Sequence, residues 1–95
     1  MILRFTGVLY EWRGPAPFHF VNLDEDSSDV VASVKRQLTY GWGVVMVTAR
    51  IGDLEWKTSL TPRGAVYALP IKDAIRKAAA IGLGQPVDVE LRLDV

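Results

Sequence analysis

Residues 66–91 read VYALPIKDAIRKAAAIGLGQPVDVEL and predict the fold that the rest of the chain is expected to follow. Pro70 suits the first turn of a helix, because its missing N–H group has no intrahelical partner there. Gly82 and Gly84 are predicted to end this helix, because glycine adopts the left-handed conformation without a Cβ penalty. After Pro86, apolar and polar residues alternate to the C-terminus, which predicts a half-buried strand. The apolar residues of the helix recur at helical spacing and predict one buried stripe: Ile71, Ala74, Ile75, Ala78 and Ala79.

A second stretch, residues 18–51, shows the same order of strand, helix, glycine and strand. Leu23-Asp24 stands where Leu69-Pro70 stands, so the two copies are predicted to be offset by 46 residues. The helix of this copy is expected over about residues 28–38, with Ser27 or Ser28 as its N-cap. The chain is therefore predicted to contain two strand–helix–strand repeats.

The remaining segments are predicted to be further strands. Met1 to Trp12 alternates as a strand does, and Gly7 in its middle predicts a bulge or a tight barrel bend. Gly52-Asp53 is a two-residue hairpin signal, and Thr61 to Gly64 is expected to form the next turn. About six or seven strands and two short helices predict a single, mainly β domain over residues 1–95, closed as a β-barrel.

The composition excludes several classes of function. Eleven basic and eleven acidic residues cancel, so no overall field attracts nucleic acid or an anionic membrane. The absence of cysteine excludes disulfides, thiol catalysis and thiolate metal sites. The apolar runs are far shorter than the ~18 residues that a membrane span needs, and Arg4 interrupts the run that could otherwise suggest a signal peptide. We therefore expect a cytoplasmic protein that does not associate with membranes.

The strand–helix–strand units resemble the half-barrel of the AbrB/MazE-type transition regulators and antitoxins. In those proteins, two chains each contribute one such unit to a double-split, swapped-hairpin barrel. The resemblance implies that the two copies found here build the whole barrel within one chain. A folded monomer is the expected result.

A series of motifs runs along nearly the whole chain: Phe5-Thr6-Gly7, Trp12, Pro15-Ala16-Pro17, Phe18-His19-Phe20-Val21, Gly43-Val44-Val45, Trp56-Lys57-Thr58-Ser59-Leu60, Pro62, Tyr67-Ala68-Leu69-Pro70-Ile71-Lys72, Ile75-Arg76-Lys77-Ala78 and Gly84. With these motifs, the sequence also resembles a small prokaryotic family, domain of unknown function 1905. Asp24 departs from the pattern, which has the proline of a Leu-Pro pair there, and Gln85-Pro86 stands where Gly-Asp is usual. The family implies a double-split-type barrel, sometimes joined to a YdeI/OmpD-associated domain, and no established activity.

The sequence shows no catalytic or metal-binding motif. His19, the only histidine, lies between two phenylalanines in a strand, and we expect it to point outward as a structural residue. The acidic run at residues 24–29 lacks the regular spacing and the glycine of a metal loop. Acidic residues at a helix start are explained by the macrodipole. The sequence therefore predicts no metal, no cofactor and no enzymatic activity.

Basic residues next to aromatic ones form the candidate binding site. Lys72 and Arg76, four residues apart, share one flank of the second helix, and Arg63 precedes them in a turn. The alternative is that Lys72 and Arg76 lay their stems over the barrel and leave their charged heads in water. The candidate ligand- or anion-binding set is Lys57, Arg63, Tyr67, Lys72 and Arg76, with Tyr40 or Trp42 nearby.

Two functions from different classes are predicted. The first is a non-enzymatic binding module for a small ligand or a protein partner, which a compact and neutral chain favours. The alternative, suggested by the AbrB/MazE resemblance, is a nucleic-acid-binding barrel. Binding of duplex DNA depends mainly on Lys and Arg contacts with phosphates, so zero net charge does not favour a large DNA footprint.

Overall fold

The computed structural model describes residues 1–13, 17–38 and 45–93 of the protein. These residues form a mainly β structure with two short helices, as the sequence predicts. In chain order the elements are β1 (Ile2–Arg13), β2 (Pro17–Asn22), α1 (Glu25–Leu38), β3 (Val45–Ile51), β4 (Leu54–Arg63), β5 (Val66–Pro70), α2 (Asp73–Ala78) and β6 (Pro86–Arg92).

The strands close into a barrel in the order β1-β2-β5-β4-β3-β6, and every neighbouring pair is antiparallel. Strand β1 belongs to both sides of the barrel, because Ile2–Val8 pairs with β6 and Leu9–Arg13 pairs with β2. Each of the six strands therefore has a paired neighbour on both sides. The predicted β-barrel is therefore confirmed, and its description as a double-split barrel stays a prediction.

Gly7 lies where β1 passes from one partner strand to the other. A Cβ atom at this position would be 2.5 Å from Val21 Cγ1 and 2.6 Å from the carbonyl oxygen of Asn22. Only glycine therefore allows β1 to approach β2 this closely. This position corresponds to the tight barrel bend that the sequence predicts.

Buried side chains from the strands and from α1 form one hydrophobic core inside the barrel. Helix α1 adds Val31 and Val34 to this core, and Ile75 and Ile81 pack against it from α2 and the loop that follows. The buried core side chains include Phe5, Leu9, Val21, Val47, Trp56, Leu60, Leu69 and Leu91.

The two halves of the barrel are related by an approximate twofold symmetry. The strand order is unchanged when β1, β2 and β3 are exchanged with β4, β5 and β6. The backbone N–H of Leu23 donates to the carbonyl of Tyr67 at 2.9 Å, and the N–H of Ile71 donates to the carbonyl of His19 at 2.8 Å. The symmetry maps one bond onto the other, because Leu23 and Ile71 are 48 residues apart and so are His19 and Tyr67.

The same offset relates the two helix starts. Ser28 N donates to Asp24 O at 3.0 Å, and Arg76 N donates to Lys72 O at 2.9 Å. Asp24 therefore corresponds to Lys72, two residues beyond the predicted alignment with Pro70. The repeat is present in the fold, and the predicted offset of 46 residues is wrong.

Helix α1 begins at Glu25, earlier than the sequence predicts. Its N-cap is Asp24, whose Oδ1 accepts a hydrogen bond from Ser27 N at 2.7 Å. The prediction of Ser27 or Ser28 as the N-cap is therefore wrong. Both serines are buried instead, and Ser28 Oγ accepts a hydrogen bond from Tyr67 N at 3.1 Å.

Helix α2 begins at Asp73 and has six residues. Pro70, predicted as its first turn, is the last residue of β5 and pairs with Phe20. The helix ends before Ala80, which has the left-handed φ of 55° that the sequence assigned to the glycines. No residue of α2 is buried, so the predicted stripe is wrong for Ala74 and Ala78.

The predicted turn at Thr61 to Gly64 is also wrong, because β4 continues to Arg63. Thr61 pairs with Ala68 and Arg63 pairs with Val66, and the turn falls on Gly64-Ala65.

The predicted hairpin at Gly52-Asp53 is confirmed. Strand β6 ends at Arg92, and the last two residues of the predicted strand, Asp94 and Val95, lie outside the described residues.

Candidate functional site

His19 lies at the rim of the barrel and faces its interior. Side chains alternate along β2, so His19 shares a face with the fully buried Val21. Glu11 of β1 is its cross-strand partner on the same face. Only 12% of the His19 side chain is exposed. The prediction that His19 points outward is therefore wrong.

Carboxylates flank the imidazole ring on both sides. Asp73 Oδ1 lies 3.8 Å from Nδ1, and Glu11 Oε2 lies 3.8 Å from Nε2. Each carboxylate also contacts an arginine, at 3.2 Å for Glu11 and Arg13 and at 3.6 Å for Asp73 and Arg76. The two acids approach opposite nitrogens of one ring, so they do not converge on a point where one metal ion could be bound.

A cavity of about 350 Å³ opens beside this histidine, and we name it the His19 cavity. It lies where the ends of β2 and β5 meet β4 and the start of α2. One part of its wall is apolar and the other carries hydrogen-bonding groups, a combination that is typical of small-molecule sites. The apolar part is formed by Phe18, Pro70 and Ile71, and the polar part by His19, Thr58, Lys72 and Asp73.

Of the candidate set, Lys72 and Arg76 are found near this cavity. Lys72 is exposed and lines it. No carboxylate of the described residues lies within 4.0 Å of its ammonium group. Arg76 follows one turn later and contacts Asp73, while its Nε is buried and has no hydrogen-bond partner among the described residues.

Arg63 lies elsewhere, on the outer surface of the barrel. Its guanidinium carbon is 4.6 Å from the ring centre of Trp12 and 4.8 Å from that of Phe20. The planar group is therefore stacked between two aromatic rings from neighbouring strands. Phe20 faces away from the barrel interior, yet it is only 5% exposed. Arg63 lies over its ring and therefore helps to bury it on the outer side of the barrel.

The structure also separates the remaining candidates from the His19 cavity. Tyr67 packs its half-buried side chain against the core. Lys57 is exposed on β4 opposite Thr48 of β3. Tyr40 and Trp42 lie outside the described residues. The predicted five-residue site is therefore not one cluster.

Sequence reasoning missed most of the cavity wall. Thr58 alternates onto the same face as the buried Trp56 and Leu60 of β4, and this alternation could have identified it as an interior hydroxyl near the rim. His19 could have been found by counting two residues back from Val21. Asp73 gave no signal, because an exposed acid in a first helical turn is ordinary.

Two larger clefts, of about 480 and 470 Å³, lie around the Gly52 hairpin. The charged groups in the first of them contact each other. Arg4 lies 3.0 Å and Arg50 lies 3.4 Å from Glu90, and Thr6 Oγ1 donates to Asp88 at 2.5 Å. The second is lined by Gln85, Asp88 and otherwise apolar or small residues. The His19 cavity is therefore the better candidate for ligand binding.

These observations define a small closed β-barrel protein with a partly apolar cavity at one rim. The family model described as "Domain of unknown function (DUF1905)" matches residues 5–91, and the chain belongs to that family. A search of curated proteins finds no match. Within the part of the chain that the structure describes, no helix has the length and hydropathy to cross a membrane. Within the same residues, no three His, Cys, Asp or Glu side chains form a metal-binding group.

Proposed function

We propose that the protein is a non-enzymatic binding module that holds a small molecule in the His19 cavity. The observation that carries this proposal is the composition of the cavity wall. Phe18, Pro70 and Ile71 offer apolar contact, while His19 and Lys72 offer polar groups at the same opening. The volume of about 350 Å³ lies near the lower end of the roughly 300–1,000 Å³ range of ligand sites.

The surrounding structure supports this function because the wall of the cavity is held in place. Ile71 is buried, and its backbone N–H donates to the carbonyl of His19 at 2.8 Å. Pro70 is the cross-strand partner of Phe20. Both elements that form the apolar wall are therefore fixed by the barrel, and such a pre-formed site loses little conformational entropy on binding.

A fragment screen by two-dimensional ¹H–¹⁵N NMR tests the proposal. Fragments of fewer than about 15 non-hydrogen atoms suit a cavity of this size. We expect saturable shifts of the amide signals of His19, Ile71 and Lys72. A screen in which no fragment perturbs these signals would contradict the proposed function.

A matched pair of variants locates the binding. Phe18→Ala removes one apolar wall at a position where the side chain is 51% exposed, so the fold should survive. Met46→Ala truncates a side chain that is 60% exposed on β3 and does not line the cavity. Fragment affinity should fall in the first variant and stay unchanged in the second. Equal affinities would place the binding elsewhere.

Nucleic-acid binding is a second candidate, and one surface feature favours it. Trp12 and Phe18 are cross-strand partners on the outer face and are 40% and 51% exposed. Arg63 stacks on Trp12 beside them. Exposed aromatic rings next to an arginine suit the stacking of unpaired bases, whereas the zero net charge disfavours a long duplex footprint.

Fluorescence anisotropy with a labelled single strand and a labelled duplex, each at ~50 and ~200 mM salt, tests this candidate. We expect tighter binding of the single strand, weakening with salt, and a loss of affinity in Trp12→Ala that Met46→Ala does not show. Trp12 does not line the His19 cavity, so this variant separates the two candidate functions. Absence of binding at the lower salt concentration would exclude nucleic-acid binding.

A further inference from the structure

We infer that the His19 cavity selects a small organic anion, such as a carboxylate with a compact apolar body. This inference rests on the proposed function and names the class of ligand. It depends on how the charges around the cavity are matched, on the polar groups that line it and on its size.

The charges around the His19 cavity leave a cation in excess. The two acids, Glu11 and Asp73, contact Arg13 and Arg76, respectively. Lys72 has no carboxylate of the described residues within 4.0 Å, although it lines the cavity. With His19 neutral, these five charged groups sum to one positive charge. An anion in the cavity therefore supplies the counter-charge that Lys72 lacks.

Two uncharged donors can complete the recognition of an anion. Thr58 lines the cavity, and its hydroxyl makes no side-chain hydrogen bond to another described residue. A hydroxyl can turn to donate a proton to a carboxylate, and a neutral imidazole has one N–H that can do the same. Helix α2 has only six residues, so its N-terminus adds no anion site of its own.

The apolar wall and the volume restrict the rest of the ligand. Phe18, Pro70 and Ile71 face the same space as Lys72. A ring or short branched chain can pack against them while its acid group reaches Lys72. A volume of about 350 Å³ suits a ligand of this size.

A series of three probes of closely similar size tests the inference: phenylacetate, phenylacetamide and phenethylamine. They share a phenyl ring on a short chain and carry negative, zero and positive charge at pH 7. Titrations followed by the amide signals of His19, Ile71 and Lys72 give the three affinities. We expect phenylacetate to bind about tenfold more tightly than phenylacetamide, the size of effect that one added charged hydrogen bond gives.

Two lysine variants provide the matched comparison. Lys72→Met keeps most of the length of the side chain and removes its charge, while Lys77→Met makes the same change at an exposed position of α2 that does not line the cavity. The preference for phenylacetate should disappear in the first variant and persist in the second. Thr58→Val should weaken phenylacetate binding without changing the affinity for phenethylamine.

Other outcomes overturn the inference and leave the proposed function to its own test. Equal or tighter binding of phenylacetamide or phenethylamine would show a ligand cavity with no selectivity for anions. An unchanged preference in Lys72→Met would show that another group supplies the charge. If none of the three probes binds, the inference fails, and the fragment screen alone decides whether the cavity binds small molecules.

Discussion

At the scale of single residues, Gly7 lies at a position where the fold has no room for a side chain. Its hydrogen atoms lie against Val21, which is fully buried, and against a backbone carbonyl that cannot rotate away. A β-carbon here forces β1 and β2 apart at the bend of the barrel. The cost of such overpacking is typically 1–3 kcal/mol and sometimes more.

Gly7→Ala should therefore lower the free energy of unfolding by about 3 kcal/mol, measured by urea denaturation. Gly82→Ala is the control, because a Cβ there would meet Gln85 Oε1 at an ordinary 3.4 Å. This control should change stability by less than about 1 kcal/mol. Similar losses in both variants would contradict the close packing inferred at Gly7.

The orientation of His19 shows the limit of sequence reasoning at this scale. In the sequence Phe18-His19-Phe20, the flanking aromatic residues suggest that histidine faces water. The reverse is true because Arg63 covers Phe20 from the outer side, and Arg63 comes from a strand more than forty residues later. No local pattern carries this information. Lys72 was identified because a basic side chain near aromatic residues is a local signal.

At the scale of secondary structure, the two helices differ although they occupy equivalent places in the repeat. Asp24 caps α1 with its carboxylate, and α1 has 14 residues. Lys72, its equivalent, makes no side-chain cap, and α2 has six residues. A lysine has no acceptor for the free N–H groups of a helix start. The longer helix is therefore the one that has a side-chain N-cap.

Asp24→Ala should destabilise the protein by about 1 kcal/mol, the usual contribution of an aspartate N-cap. The matched control is Asp26→Ala, in the first turn of the same helix. It removes only an interaction with the helix dipole and should cost a few tenths of a kcal/mol, roughly 0.3–1. Thermal and urea unfolding measure both. A larger effect of Asp26→Ala would contradict the assignment of the cap.

At the end of α2, the same substitution of alanine by glycine is predicted to have opposite effects on stability at two nearby positions. Ala80 has a φ of 55°, which costs an alanine energy and a glycine almost none. Ala80→Gly should therefore stabilise the protein by about 0.5–1 kcal/mol. In contrast, Ala78→Gly, at the last residue of α2, should destabilise it, because glycine has a low helix propensity. Equal signs in urea denaturation would contradict the left-handed conformation at Ala80.

The strands were easier to predict than the helices for a physical reason. Alternation of apolar and polar residues reports directly on a barrel wall with one buried face. Helix boundaries depend on caps, and several residues compete for each cap. Pro70 fits a helix start and also the end of a strand, and pairing of β5 with β2 decided between them.

At the scale of the whole molecule, the closed barrel predicts a monomer. Each of the six strands finds both neighbours within the same chain, so closing the barrel needs no strand from a second copy. Sedimentation equilibrium should give a mass near 10.5 kDa, and the melting temperature should not depend on protein concentration. An obligate dimer that unfolds on dilution would contradict the single-chain barrel.

The most direct test of the central claim, that the His19 cavity is a small-molecule site, uses His19 itself. It is the only histidine of the chain, so its imidazole signals need no assignment by mutation. These ¹³C–¹H signals are followed while a mixture of anionic, neutral and cationic fragments is added. We predict at least one fragment that shifts them saturably in the wild type and less strongly in Phe18→Ala. Imidazole signals that stay fixed with every fragment, or shift equally in both proteins, would contradict the claim.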